Sequence, residues 1–205
     1  MEKQGNTEFL EKLKLHQEWL DSLGNSGYQL CLEDDDLTGL DLSGRRLSQA
    51  ILPGVKFDEA SLKQVDLYSA NLASASFLRA DLTGADLTKA NLDYASLSNA
   101  ILRNAKALRA SFVEVDMCGA DLTNANLRDT YFVDANLESA ILCGADINGA
   151  TLEGVRFFRA DLTGVKGLET VSAKWINIGT EESPIKLEGA QLSDWLIRAV
   201  KGEVH

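Results

Sequence analysis

The sequence predicts an all-β solenoid, a coil with four short sides per turn and a helix at each end. Three observations predict it. From Leu32 to Leu162 a bulky apolar residue recurs at every fifth position, 27 times without insertion or deletion. A second set of smaller apolar residues precedes it by two positions. The flanks, up to Tyr28 and from Gln191 onward, change to the three- and four-residue spacing of amphipathic helices.

The repeat centres are nineteen Leu, five Phe, Met117, Ile147 and one small residue, Ala107. The positions two before them are eighteen Ala and four Val, with Leu30, Asp35, Leu40, Arg45 and Thr130 as exceptions. A period of five fits neither the 3.6 of a helix nor the 2 of a strand. It fits a solenoid, in which each unit hides its apolar side only by stacking on its neighbours. If each unit turns the chain by a right angle, four units close one coil of 20 residues. The large residue then fills the axis, and the small one lets the backbone pass close by.

Wrapping the sequence at that length sorts the centres into four faces. The Leu42 face is Leu throughout. The Leu47 face runs through Ala107 to Ile147. The phenylalanines fall only on the Leu32 face (Phe112, Phe132) and the Leu37 face (Phe57, Phe77, Phe157). Coils spaced as hydrogen-bonded strands are about 4.8 Å apart, which makes a rod roughly 32 Å long. Ala107 is the one gap in the axis, and the next centre, Phe112, is large enough to fill it.

Units such as Ala80-Asp81-Leu82-Thr83-Gly84 and Ala85-Asp86-Leu87-Thr88-Lys89 resemble the pentapeptide-repeat family, whose pattern is Ala-Asp/Asn-Leu and two variable residues. The resemblance covers about residues 30–165. It implies a right-handed quadrilateral parallel β-helix. The chain departs from the pattern in the first coil, at Asp35 and Arg45.

Asp or Asn before a centre (Asp41, Asp66, Asp86, Asn91 and others) has a structural reading, since short oxygen-bearing side chains bond local N–H groups at turns. Gly at the last unit position, such as Gly39 and Gly84, can supply a positive φ. Asp41, Asp81, Asp121 and Asp161 are spaced by 40, which fits duplication of a two-coil unit better than a ligand ladder. The run Glu33-Asp34-Asp35-Asp36 lacks the spacing and glycine turn of a calcium loop and reads as a solvated loop.

Before the repeat, residues 1–28 form an N-terminal capping helix. It is read from Thr7 to Leu23, with the stripe Phe9, Leu10, Leu13, His16, Leu20 and Leu23; Asn6 or Thr7 can cap it and Gly24 can end it. His16 reads as a packing residue rather than a ligand. The β-helix occupies 29–165. The repeat fails at Gly167, and 166–205 hold an irregular segment, a short strand at Ile185 and Leu187, and a capping helix from Gln191 to Gly202. In the quinolone-resistance members of the family a C-terminal helix joins two monomers. That resemblance implies that Trp195 and Leu196 can make homodimer contacts here; the alternative is a helix that only caps the coil.

A net charge of −11 repels nucleic-acid phosphates, so direct nucleic-acid binding is not expected. Three scattered cysteines, Cys31, Cys118 and Cys143, fit unpaired thiols in a reducing compartment. No signal peptide or membrane-length apolar run is present, and a cytoplasmic protein is expected. No phosphate loop, nucleophile–base set, CxxC or paired-carboxylate pocket stands out, so neither a cofactor, a metal site nor an enzyme is expected.

Function is then left to outward side chains. The Leu32 face reads as the least charged, and its Tyr94, Val113, Tyr131 and Val133, with Leu78 and Phe158 on the Leu37 face, form the candidate partner surface. Two readings follow. The first is a non-catalytic interaction or structural scaffold with an unidentified protein partner. The second, implied by the family resemblance, is a DNA mimic that binds a type II topoisomerase (gyrase) and protects it from inhibitors. Against the second, the repeat has no interrupting loop, and its acids are mixed with bases such as Arg79, Arg103 and Arg128.

Overall fold

The computed structural model describes the backbone of residues 2–203 and the side chains of 8–203. Between Cys31 and Lys166 the chain winds as a coil in which each residue before a centre pairs in parallel with the residue 20 further on, as in Asp41↔Ser61↔Asp81. Four such ladders, starting at Cys31, Asp36, Asp41 and Arg46, run the length of the coil. All of the Leu, Phe, Met and Ile centres are buried along the axis, and nearly all of the Ala and Val positions join them.

One unit shows how the backbone of the coil is satisfied. Leu82 N–H donates to Ile101 O at 2.7 Å and Gly84 N–H to Arg103 O at 2.9 Å, both on the next coil. Asp81 N–H reaches back to Ala60 O at 3.0 Å, and Ala85 N–H closes the turn on Leu82 O at 3.0 Å. The fifth donor, Thr83 N–H, bonds Oδ1 of Asp81 at 3.0 Å. Every backbone donor of the unit therefore has a partner. The same side-chain bond recurs from Asp41, Asp66, Asn71, Asp86, Asn91 and Asn126. At two units whose residue before the centre is Ser, the previous coil supplies it instead: Leu78 and Val113 N–H each donate, at 3.0 Å, to Asp58 and Asp93.

The sharp corner has a conformational requirement that the sequence showed only where glycine stood. Position five of each unit has a positive φ at all 27 corners, as in type II turns. Glycine fills nine of them; the other eighteen are residues such as Ser74 (φ 59°), Arg79 (φ 56°) and Tyr94 (φ 63°). The left-handed conformation costs a residue with a Cβ about 1–2 kcal/mol. At nearly every corner an inter-coil bond from its N–H, such as Tyr94 N–H to Val113 O at 2.9 Å, holds it there.

Exceptions in the repeat are accommodated locally. Asp35 and Arg45 replace inward residues of the first coil but stay exposed, and all four first-coil bridges are in place. Thr130 is fully buried, and its Oγ1 donates to Leu127 O at 2.6 Å. The phenylalanines stack in pairs: Phe57 on Phe77 at 5.0 Å and Phe112 on Phe132 at 4.9 Å.

Helix α1 (Glu2–Asp21) lies against the first coil. It starts five residues earlier than expected, and the side chains of Asn6 and Thr7, the expected caps, lie outside the described residues. Only part of the expected stripe faces inward: Phe9 and His16 are buried and Leu13 packs beside them, whereas Leu10 and Leu23 are exposed. Leu23 (φ 55°) takes the left-handed position that ends the helix, and Gly24 N–H follows by bonding Trp19 O at 2.8 Å. Leu23 is thus a terminator, which is why it leaves the stripe.

At the other end the coil outlasts its sequence pattern. A short 3-10 turn, Leu168–Thr170, inserts one residue after Gly167. Pairing then continues with an offset of 21, through Thr151↔Ser172 and Arg156↔Asn177. Strand β1 (Trp175–Asn177) pairs antiparallel with β2 (Lys186–Glu188), which leads into helix α2 (Gly189–Val200). Leu192, Leu196 and Ala199 of α2 are buried with the last coil, and Trp195 lies 5.9 Å from Phe157, where a further coil would stack.

Candidate interaction surface

Three residues per unit point outward: the one before the centre and the two after it. Between coils, the residue after one centre meets the residue before the centre below it. Ser98 Oγ donates to Asp116 at 2.5 Å, Arg103 Nε to Asp121 at 2.6 Å, and Cys143 Sγ to Asp161 at 3.1 Å. The surface is therefore a lattice of paired side chains rather than independent groups.

The six candidate residues do not form one patch. Val113 and Val133 occupy equivalent positions on adjacent coils of the Leu32 face, and Tyr131 stands beside them through its bridge to Ser111. Tyr94 lies on the coil above, at the corner toward the Leu37 face. Leu78 and Phe158 are both on the Leu37 face but four coils apart, about 19 Å at strand spacing. Tyr94 (59%) and Tyr131 (52%) are the exposed members; the other four are half-buried. Leu196 is buried in its own chain and Trp195 is half-buried against Phe157.

Charge distinguishes the faces more sharply than apolarity does. On the Leu42 face Lys63 reaches Asp81 at 3.2 Å and Arg103 reaches Asp121. Burial works against ionisation of both carboxyls, yet the bonds from Thr83 and Lys63, and from Thr123 and Arg103, hold them below the usual carboxylate range. On the Leu47 face Arg128 sits 3.7 Å from Asp146, and Lys89 Nζ donates to Tyr68 Oη at 2.9 Å. On the Leu37 face Arg79 pairs with Glu59 at 2.5 Å. The Leu32 face differs. Its outward positions from Cys31 to Gly154 carry six acids (Glu33, Asp34, Asp93, Glu114, Asp134, Glu153) and no Lys or Arg. The expectation of a least-charged face is corrected: Leu42 has as many charges, but Leu32 has one sign. All six acids stand at the two turn positions that follow a centre.

Chemistry beyond contact finds little support among the described residues. No group of three or more His, Cys, Asp or Glu is placed to hold a metal ion, and no helix is long and apolar enough to cross a membrane. The three cysteines are unpaired. Burial, with the hydrogen bond to Asp161, pushes the Cys143 thiol up to about 11; burial and Asp116 raise Cys118 as well. Neither is an activated nucleophile.

A family model of pentapeptide repeats (8 copies) matches residues 36–72, 66–104, 110–149 and 120–164. The chain belongs to the pentapeptide-repeat family. The parallel ladders make the fold a β-helical solenoid, and the matching family model indicates no catalytic family. No curated protein matches the sequence. Among solved structures the chain is similar to HetL, a pentapeptide repeat protein involved in heterocyst differentiation regulation from Nostoc sp. strain PCC 7120, at 27% identity over 71% of this chain and 68% of that one, with a TM-score of 0.47. It is similar to QnrB1, a plasmid-mediated fluoroquinolone resistance protein, at 16% identity over 85% and 90%, with a TM-score of 0.47. It is also similar to Rfr23 from Cyanothece 51142, at 24% identity over 56% and 85%, with a TM-score of 0.24.

Proposed function

We propose that this pentapeptide-repeat protein is a non-catalytic, cytoplasmic scaffold that docks a protein partner on the lower half of its Leu32 face. The supporting observation is the coincidence there of the two exposed tyrosines, Tyr94 and Tyr131, with acids on successive coils and no base. Tyr is a rigid, amphipathic contact residue, and an unbroken acidic field selects a basic surface. A coil whose successive turns are tied together by backbone bonds along its length loses little entropy on binding. In this reading the coil is right-handed and α1 and α2 cap its open ends. Trp195 contributes to any end-to-end dimer only through its solvent side, because Leu196 faces the last coil.

Photocrosslinking tests the docking face. A photoreactive phenylalanine at Tyr131 captures one discrete partner in cells of the source organism, whereas the same group at Asn104, on the Leu42 face, does not. Equal capture at both positions rejects the assignment.

The acid-only face also favours the second reading, a DNA mimic acting on a type II topoisomerase. The paired bases of the other three faces oppose it. Supercoiling by DNA gyrase, with and without a fluoroquinolone, separates the two. Protection that is lost in Glu114→Lys/Asp134→Lys supports the mimic, and no effect at stoichiometric excess rejects it.

A further inference from the structure

Between the last coil and the C-terminal segment the fold leaves a cavity of about 610 Å³. Helix α2 packs on the coil through several contacts, two of them beside this cavity. Gly164 N–H bonds Val200 O at 2.9 Å, and Trp195 covers Phe157. The gap between those contacts is walled by Phe157, Trp195, Ala199 and Ile178, and its mouth is framed by Phe158 and Ile185, of which Ile185 is half-exposed to water. Its volume lies in the range of small-molecule sites, roughly 300–1,000 Å³, and like them it is mainly apolar with few polar groups.

The polar groups at the rim fix the ligand's sign. Arg159 occupies a left-handed corner (φ 57°) and holds its guanidinium over the Phe158 ring at 5.0 Å. It makes no ion pair among the described residues. The one acid at the rim, Asp161, is engaged elsewhere: Oδ1 accepts from Thr163 N–H at 2.9 Å and Oδ2 from Cys143 at 3.1 Å. An apolar body lying against Trp195 and Ile178 thus leaves its polar end beside an accessible guanidinium, the group best shaped to grip a carboxylate with two bonds.

We propose that this cavity binds a small amphipathic carboxylate, with its hydrocarbon or aromatic body against Trp195 and Ile178 and its carboxylate on Arg159. The site is independent of the Leu32 face and needs no protein partner. Titration of the full-length protein with decanoate tests it, read by calorimetry and by the indole N–H resonance of Trp195. Saturable binding is expected, with the Trp195 signal shifting and that of Trp19, at the far end, unmoved. Arg159→Gln, at an exposed position, weakens decanoate about tenfold, the scale of one charge-assisted contact. Decanol binds wild type and variant alike, with the variant's affinity. Absence of saturable decanoate binding overturns the proposal. So does equal affinity for decanoate and decanol, which removes the carboxylate, or a concentration-dependent doubling of mass that abolishes binding, which makes a second copy the occupant.

Discussion

The backbone N–H of Leu30 donates to Nδ1 of His16 across 3.0 Å, joining helix α1 to the first coil through a fully buried imidazole. The bond requires a neutral ring, since a protonated ring would face one N–H with another. Nε2 has no partner within hydrogen-bonding geometry. Burial holds His16 below the ordinary 6.5; the Ser48 carbonyl opposes this shift, and Arg46 on the first coil adds to it. Asp21 of the helix faces the same region but is committed to Arg46 at 2.7 Å.

That arrangement sets a pH dependence. Below 6.5 the unfolded chain takes up a proton before the folded one does, so the stability His16 contributes is complete above that value and is lost as pH falls through the folded-state value. The Asp81 and Asp121 carboxyls are held below their ordinary 3.8, so they add little to a difference measured above about pH 5. Urea denaturation should show a lower midpoint at about pH 5 than at about pH 7.5. In His16→Gln, which retains an acceptor for Leu30, that difference should vanish; a difference unchanged from wild type would show that His16 does not titrate on unfolding.

Asp121 tests the accounting of the turn donors. Its Oδ1 accepts from the N–H and hydroxyl of Thr123, at 3.0 and 2.6 Å, and it is 9% exposed. Asp121→Ala leaves the Thr123 N–H without its partner and should cost about 1–3 kcal/mol. Asp121→Asn keeps an oxygen there and should cost less than about 1 kcal/mol, because the Arg103 partner in the weakened pair is exposed to water. Chemical denaturation of the pair decides it. An equal loss in both would shift the weight from the turn bond to the ion pair.

Much of this architecture was readable before the coordinates, and the residues show why. The Leu82 and Ala80 positions report burial directly, because an inward side chain in a 20-residue coil has only those two slots in each unit. The corner conformation at Arg79 or Tyr94 was hidden, since an inter-coil bond holds the backbone there and the side chain carries no trace of it. The extension of pairing to Asn177 was hidden too: one inserted residue ends the period of five while the ladder continues. Of the candidate surface, the tyrosines were visible as outward residues. The separation of Leu78 from Phe158 and the sign of Glu114 and Asp134 beside Tyr131 emerged only when the coils were stacked.

Glycine corners differ in what holds them. Gly84 has φ 69°, and an added Cβ there would meet only Gln64 Cγ, at 3.5 Å. Gly154 has φ 73°, but a Cβ there would fall onto Asp134 Oδ1 and come within 3.2 Å of Trp175. Gly84→Ala should therefore cost about 1–2 kcal/mol, the conformational penalty alone. Gly154→Ala adds a collision with a flexible carboxylate and a fixed indole, and should cost at least about 1 kcal/mol more. Equal thermal shifts in the two variants would mean that the corner relaxes more easily than its hydrogen bonds suggest.

Ala107 offers the last test, of the axis itself. It is the one small centre among the 27, it is buried, and the following centre is Phe112, which is fully buried and stacked on Phe132. If the larger ring takes the volume that Ala107 yields, then Ala107→Leu overpacks the core and should cost about 1–3 kcal/mol. Phe112→Leu alone should cost a comparable amount by opening a gap. The double variant restores the Leu–Leu pair of the coil above, Leu87 and Leu92, and should recover most of that loss, a coupling of about 1–2 kcal/mol in a double-mutant cycle. A rise in thermal midpoint for Ala107→Leu alone would mean that the axis holds unfilled space beside Ala107 and that Phe112 is large for some other reason.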